Sequence, residues 1–156
     1  MKRPGSVLPF LLLLPLFLGG EARAACRVTA TSVSFGAYDV FSPVPLDSTG
    51  SVSVSCDELP PSDVVIEIGP SAGSGGFNPR QMRHPSRPDR LGYNLFLDAS
   101  RSAVWGDGTA GTRTLFLKNV KRQKPPVATT IYGRIPPGQN VSTGVYSDTL
   151  TVTITW

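Results

Sequence analysis

Tyr146-Ser-Asp-Thr-Leu-Thr-Val-Thr-Ile-Thr-Trp156 is the stretch whose reading decides the fold. Leu150, Val152, Ile154 and Trp156 share one parity, with Tyr146 in phase, while Thr149, Thr151, Thr153 and Thr155 share the other. A strict period of two over this length predicts a β-strand with one buried and one wet face. Threonine suits the wet face, because its branched β-carbon fits a pleated surface while its hydroxyl stays hydrated. An apolar strand of this kind must be covered, either by its own chain or by another. Asp148 falls on the apolar parity without an evident partner, so burial is expected to begin at Leu150, with Asp148 at a solvated mouth.

The same short-strand grammar runs back through the chain. Ser51-Val-Ser-Val-Ser-Cys56 alternates, placing Cys56 on the apolar face of Val52 and Val54. Val64, Ile66 and Ile68 oppose Glu67, and Leu91, Tyr93, Leu95 and Leu97 mark another alternating run. Residues 27–35, 114–118 and 128–135 supply further candidates, with Val33 and Phe35 in phase in the first. Pro60-Pro61, Pro136-Pro137-Gly138 and Gly144 punctuate them. No amphipathic helix of useful length is visible. Regularly spaced short strands divided by Gly and Pro predict an all-β sandwich of about seven strands in one domain. Seven is also the strand number of a complete constant-type sandwich, so the count leaves completeness open.

The front of the chain reads as an address. Lys2 and Arg3 precede an apolar core at residues 7–18, and Ala22-Arg23-Ala24 is a small-x-small cleavage site. That core is well short of the roughly 20 apolar residues that a spanning helix needs. Residues 1–24 are therefore expected to be a signal peptide and residues 25–156 the exported domain. Arg23 disfavours the lipoprotein alternative at Cys26. Cleavage removes three of the 15 basic and one of the 11 acidic residues, leaving a net charge of +2. So mild a balance gives nucleic-acid binding no support.

Cys26 and Cys56 are the two cysteines of the chain. In an exported protein they predict one structural disulfide, closing a loop of about 30 residues and contributing roughly 3 kcal/mol. A metal site lacks ligands: there is one histidine, His84, and no CxxC. No metal or other cofactor is expected. Nor is an enzyme: His84 falls in a basic, proline-rich stretch, no Gly-x-Ser-x-Gly elbow exists, and carboxylates are scattered.

Residues 69–90 lack periodicity and are expected to form a long loop. Arg80, Arg83, Arg87 and Arg90, with Lys118, Lys121, Arg122 and Lys124, could present an anion-binding patch; a solvated loop is the plainer reading. Trp105-Gly-Asp-Gly108 predicts a tight turn with positive φ, with Trp105 packing at the sandwich edge rather than stacking on a sugar. Asn140-Val-Ser142 matches a glycosylation acceptor.

Taken in order, a set of short motifs resembles the spore coat protein U domain family, which includes subunits of archaic, Csu-type chaperone–usher pili. The set is Cys26, Phe35-Gly36-x-Tyr38, Gly50-x-Val52-x-Val54-x-Cys56, Arg80-x-Met82, Leu91-x-Tyr93-x-Leu95, Trp105-Gly-Asp-Gly108, Tyr132-Gly133-Arg134-Ile135-Pro136 and Gly144-x-Tyr146-x-Asp148. The resemblance implies an immunoglobulin-like sandwich lacking its last strand, completed by a donor strand from a periplasmic chaperone and then, at an outer-membrane usher, from another subunit. Leu150, Val152, Ile154 and Trp156 would line the acceptor groove. It further implies a structural or adhesive subunit that passes through the periplasm to the cell surface. Cleavage near Ala25 leaves little before Cys26 to serve as a donor segment, so a terminal or tip position is expected. A self-complete secreted binding or coat protein, for example carbohydrate-binding, is the alternative.

Overall fold

The computed structural model describes residues 26–56, 62–120 and 126–156. The expected signal segment, Pro60-Pro61 and the basic residues Lys121, Arg122 and Lys124 lie outside these. The described chain forms eight strands: β1 (Cys26–Thr31), β2 (Leu46–Cys56), β3 (Ser62–Ile68), β4 (Arg80–Arg83), β5 (Arg90–Phe96), β6 (Leu115–Val120), β7 (Val127–Ile135) and β8 (Val152–Thr155). They make a five-stranded sheet in the order β1-β2-β7-β5-β4 and a three-stranded sheet in the order β6-β3-β8. Every strand pair is antiparallel.

Alternation builds both inner faces. Val52, Val54 and Cys56 of β2, Ile131 and Ile135 of β7, and Leu91, Tyr93 and Leu95 of β5 are buried from the larger sheet. Val64, Ile66 and Ile68 of β3 are buried from the smaller. Branched and aromatic side chains at period two suit two pleated surfaces packed face to face. The β2–β7 register is reinforced outside the core, where Arg134 holds Asp47 with two bonds of 2.7 and 2.8 Å across directly opposed positions. The Cys26–Cys56 disulfide joins β1 to β2 at directly paired positions, with both residues buried.

Trp105 ties the two sheets together. It has no exposed surface; its backbone N–H donates to Leu95 O of β5 and its indole N–H donates to Ile66 O of β3. It is a core residue rather than an edge one, and it is not available to stack on a sugar. Gly108 supplies the positive φ expected of this turn, at 87°.

Three further expectations need correction. First, residues 69–90 are not one loop, because Arg80–Arg83 is a strand paired with β5. The signal was hidden because Arg80 is charged yet fully buried, so composition mimicked a solvated loop. Second, β1 ends at Thr31, where the Thr31 hydroxyl accepts the Ser51 N–H at 2.8 Å and so competes with the ladder. Val33 and Phe35 follow outside any regular strand. Third, the alternating run at 146–156 is regular β-strand only at Val152–Thr155. Ser147 exchanges both backbone bonds with Arg83 of the larger sheet, whereas residues 152–155 pair with β3 of the smaller. The run therefore changes sheets, with Asp148, Thr149 and Leu150 spanning the crossing.

Constant-type immunoglobulin sandwiches set strands A, B, E and D in one sheet and C, F and G in the other. Here β1, β2, β7 and β5 take the A, B, E and D places, and β3 and β8 take C and F. Strands β4 and β6 are added at the edges. Among the described residues no strand occupies the G place beside β8.

Candidate functional site: the cleft beside β8

A cleft of about 900 Å³ opens at the start of β8, where Val152 lines it. One lip is the end of β1 and the chain after it, residues 30–41, and the other is residues 141–152. The floor is the inner face of the larger sheet, with Leu91, Tyr93, Leu95, Ile131 and Ile135. These are apolar side chains at alternate strand positions, so the floor repeats at the spacing of an extended chain.

The first lip is anchored rather than draped. Gly133 of β7 lets it approach: a Cβ there would stand 2.7 Å from Val33 Cγ1 and 2.8 Å from Phe35 Cζ. Phe35 meets Tyr93 edge to face at 5.9 Å. Further along, the Tyr38 hydroxyl donates to Pro136 O at 3.1 Å and accepts the Gln139 N–H at 2.9 Å. Gln139 in turn clamps the Gly92 backbone, accepting its N–H at 2.7 Å and donating to its carbonyl at 2.8 Å. The side chain thereby replaces the strand neighbour that β5 lacks beyond the end of β7. At the mouth, Phe41 and Val145 are 91% and 76% exposed, one on each lip.

Of the residues expected to line a groove, Leu150 and Val152 do line the cleft. Ile154 packs against the hydrophobic core outside the cleft lining, and Trp156 is 52% exposed. Asp148 has the partner that the sequence did not reveal: it lines the cleft and accepts the Tyr93 hydroxyl at 2.8 Å. Burial first, and then the adjacent carboxylate, hold the Tyr93 hydroxyl well above the ordinary phenol range. The role of the first lip was also missed, although Phe35-Gly36-x-Tyr38 carries two of its anchors, Phe35 and Tyr38, within four residues.

The arginines do not form one patch. Arg80 is buried, donating to Ile68 O, Gly69 O and Trp105 O and to Asn94 Oδ1, with its guanidinium 5.3 Å over the Phe77 ring. Burial pulls its pKa down from the ordinary arginine value, opposed by Tyr93, Asp148 and Asp107. Arg83 donates to Ala72 O and Arg87 to Ser142 Oγ. His84 is half-buried rather than exposed, ring to ring with Tyr146 at 5.3 Å, its Nδ1 accepting the Ser86 N–H. Among the described residues no group of three or more His, Cys, Asp or Glu is placed to hold a metal. No helix among them is long and apolar enough to cross a membrane.

Two packed antiparallel sheets and an apolar cleft at the edge strand β8 define an immunoglobulin-like sandwich with a vacant strand position. The spore coat protein U domain matches residues 19–153, and the chain belongs to that family. Protein U of Myxococcus xanthus is 38% identical over 152 residues, spanning 89% of this chain and 79% of that one. Among solved structures, the fold is similar to that of the CsuC–CsuE chaperone–tip adhesion subunit pre-assembly complex from archaic chaperone-usher Csu pili of Acinetobacter baumannii. The TM-score is 0.55 at 19% identity, over 86% of this chain and 40% of that chain. At that identity the likeness concerns the fold, and this chain spans well under half of its neighbour's length. The E. coli Hda pilus minor tip subunit HdaB gives a TM-score of 0.43 at 15% identity, over 82% and 79% of the two chains.

Proposed function

We propose that this chain is a structural subunit of an archaic chaperone–usher pilus, without enzymatic activity, whose cleft accepts an extended strand from another polypeptide. The vacant place beside β8, over a floor of alternating apolar side chains, is the observation that carries this reading. An incoming strand would satisfy the free backbone edge of β8 and fill the floor with alternate side chains, which is β-augmentation. Leu150 and Val152 would contact it directly. Ile154 and Trp156 belong to the same face further along and would meet its end.

In this reading residues 1–24 direct export and are removed, residues 25–156 form the subunit, and a periplasmic chaperone supplies the first strand. An outer-membrane usher then exchanges it for the strand of another subunit, delivering the protein to the cell surface. Cleavage near Ala25 would leave the subunit able to accept a strand and poorly able to donate one, which suits a fibre terminus. Sequencing the mature N-terminus tests that last element, and a start well upstream of Ala25 would remove it.

Expression with and without a co-expressed periplasmic pilus chaperone tests the whole. The mature chain alone should be protease-sensitive and stay in solution only at low concentration, and with the chaperone it should purify as a stable one-to-one complex. A monomer that is soluble and protease-resistant on its own would instead favour a self-complete secreted binding or coat protein.

A further inference from the structure

The cleft is apolar along most of its floor, and Asp148 is the exception. Its Oδ2 accepts the Tyr93 hydroxyl at 2.8 Å and its Oδ1 accepts the Thr149 N–H at 2.9 Å. A carboxylate offers about four acceptor sites. Roughly half of the capacity of Asp148 is thus left to water while the cleft stands open. A buried positive charge already stands behind Tyr93. Arg80 lies directly across the β4–β5 ladder from Tyr93, is fully buried, and donates to neutral acceptors, and Asp148 is among the groups that favour its charged form. A wholly apolar occupant would strip water from the carboxylate without replacing those hydrogen bonds, which is costly. A cationic occupant would bring a second positive charge toward buried Arg80, whose own acceptors are neutral. What the site lacks is a neutral donor.

We propose that the strand accepted by this cleft carries one neutral hydrogen-bond donor, such as Ser, Thr, Asn or Gln, among its inward-facing apolar residues, and that this residue sets the register by meeting Asp148. The proposal rests on the strand-acceptor reading above. A repeating apolar pattern can slide by two residues and still present apolar side chains inward. With a polar residue in the pattern, such a slip sets an apolar group on the carboxylate and buries the donor against apolar floor. Both errors disfavour the wrong register, so one contact selects among alignments that apolar packing leaves nearly equal.

A set of 15-residue peptides tests this, each with threonine outward and valine inward, and with a single inward valine replaced by threonine at successive positions. Val and Thr have nearly the same shape, so the series varies the hydroxyl alone. Binding to the full chain is followed by fluorescence anisotropy. One threonine position should bind about ten-fold tighter than the all-valine peptide, a gap of about 1.4 kcal/mol, and the others should bind more weakly than it. The Asp148→Leu variant should reverse this ranking. Asp148→Asn keeps an oxygen for Tyr93 and loses the charge; since charge-assisted bonds are roughly twice as strong as neutral ones, its preference should narrow to about three-fold. If all peptides bind the unaltered protein equally, or the ranking survives in both variants, the register proposal fails while strand acceptance stands. If no peptide binds, both fail.

Discussion

Arg80 donates to the carbonyl oxygen of Trp105 at 2.8 Å, with both residues fully buried. The same guanidinium reaches the carbonyls of Ile68 and Gly69 at the end of β3 while its backbone belongs to β4. One side chain therefore fastens the two sheets at the end of the sandwich beside the cleft. Arg80→Met would leave three backbone carbonyls without their donor, at about 1–3 kcal/mol for each one left unsatisfied. We expect a loss of roughly 3 kcal/mol or more in urea denaturation of the strand-filled protein. Arg80→Lys should recover only part, since one ammonium cannot reproduce the planar fork. A loss below about 1 kcal/mol for Arg80→Met would show that the carbonyls find other partners.

The disulfide should act through the unfolded chain. Cys26 and Cys56 are 30 residues apart, and closing a loop of that size is worth roughly 3 kcal/mol. A Cys26→Ala/Cys56→Ala double variant should lose about that much stability while keeping the β1–β2 ladder. Amide exchange across Val52 and Val54 provides the check on the ladder.

Tyr93 predicts an alkaline limit. Its hydroxyl pKa is raised in the folded state, by burial first and by Asp148 second. The folded form thus favours the protonated group, and its stabilising contribution is complete below the ordinary phenol value of about 10. It is lost as pH rises beyond that value toward the folded pKa. Urea midpoints measured between pH 8 and about 11.5 should fall above pH 10. In Tyr93→Phe that part of the fall should disappear, while the neutral-pH midpoint drops because Asp148 loses its donor.

Gly133 tests the lip. A methyl at this position would press into Val33 and Phe35, and overpacking of this kind typically costs about 1–3 kcal/mol. Since these two side chains hold residues 32–41 against β7, Gly133→Ala should also weaken strand binding in the cleft. Titration of the variant with the same peptides measures it. Unchanged affinity would separate the lip from the site.

Much of this fold was legible, for identifiable reasons. Ser51-Val-Ser-Val-Ser-Cys56 and Val64 to Ile68 alternate because each faces the core on one side only, and a period of two survives in sequence. Cys56 was legible as a core cysteine because it continues the parity of Val52 and Val54. Arg80 was not, because a buried charge held by backbone carbonyls has no sequence signature and sits among residues typical of loops. The crossing at 146–156 was missed because alternation records which side chains face inward and not which sheet the backbone joins. Asp148 looked unpartnered because Tyr93 is 55 residues away and only the β5 ladder brings it near. The vacant strand place could not be read by counting at all, since β4 and β6 raise the number of strands without filling it.

Hydrogen exchange along the chain tests strand acceptance most directly. Full-length mature protein would be compared with and without the best-binding peptide of the threonine series, by mass spectrometry at peptide resolution. An added strand at the open edge should slow exchange in residues 150–156 and along the lip at 30–41, and leave the β6 edge at Leu115–Val120 unchanged. Exchange at 150–156 that is already slow without the peptide, or protection that falls instead on β6, would contradict the account.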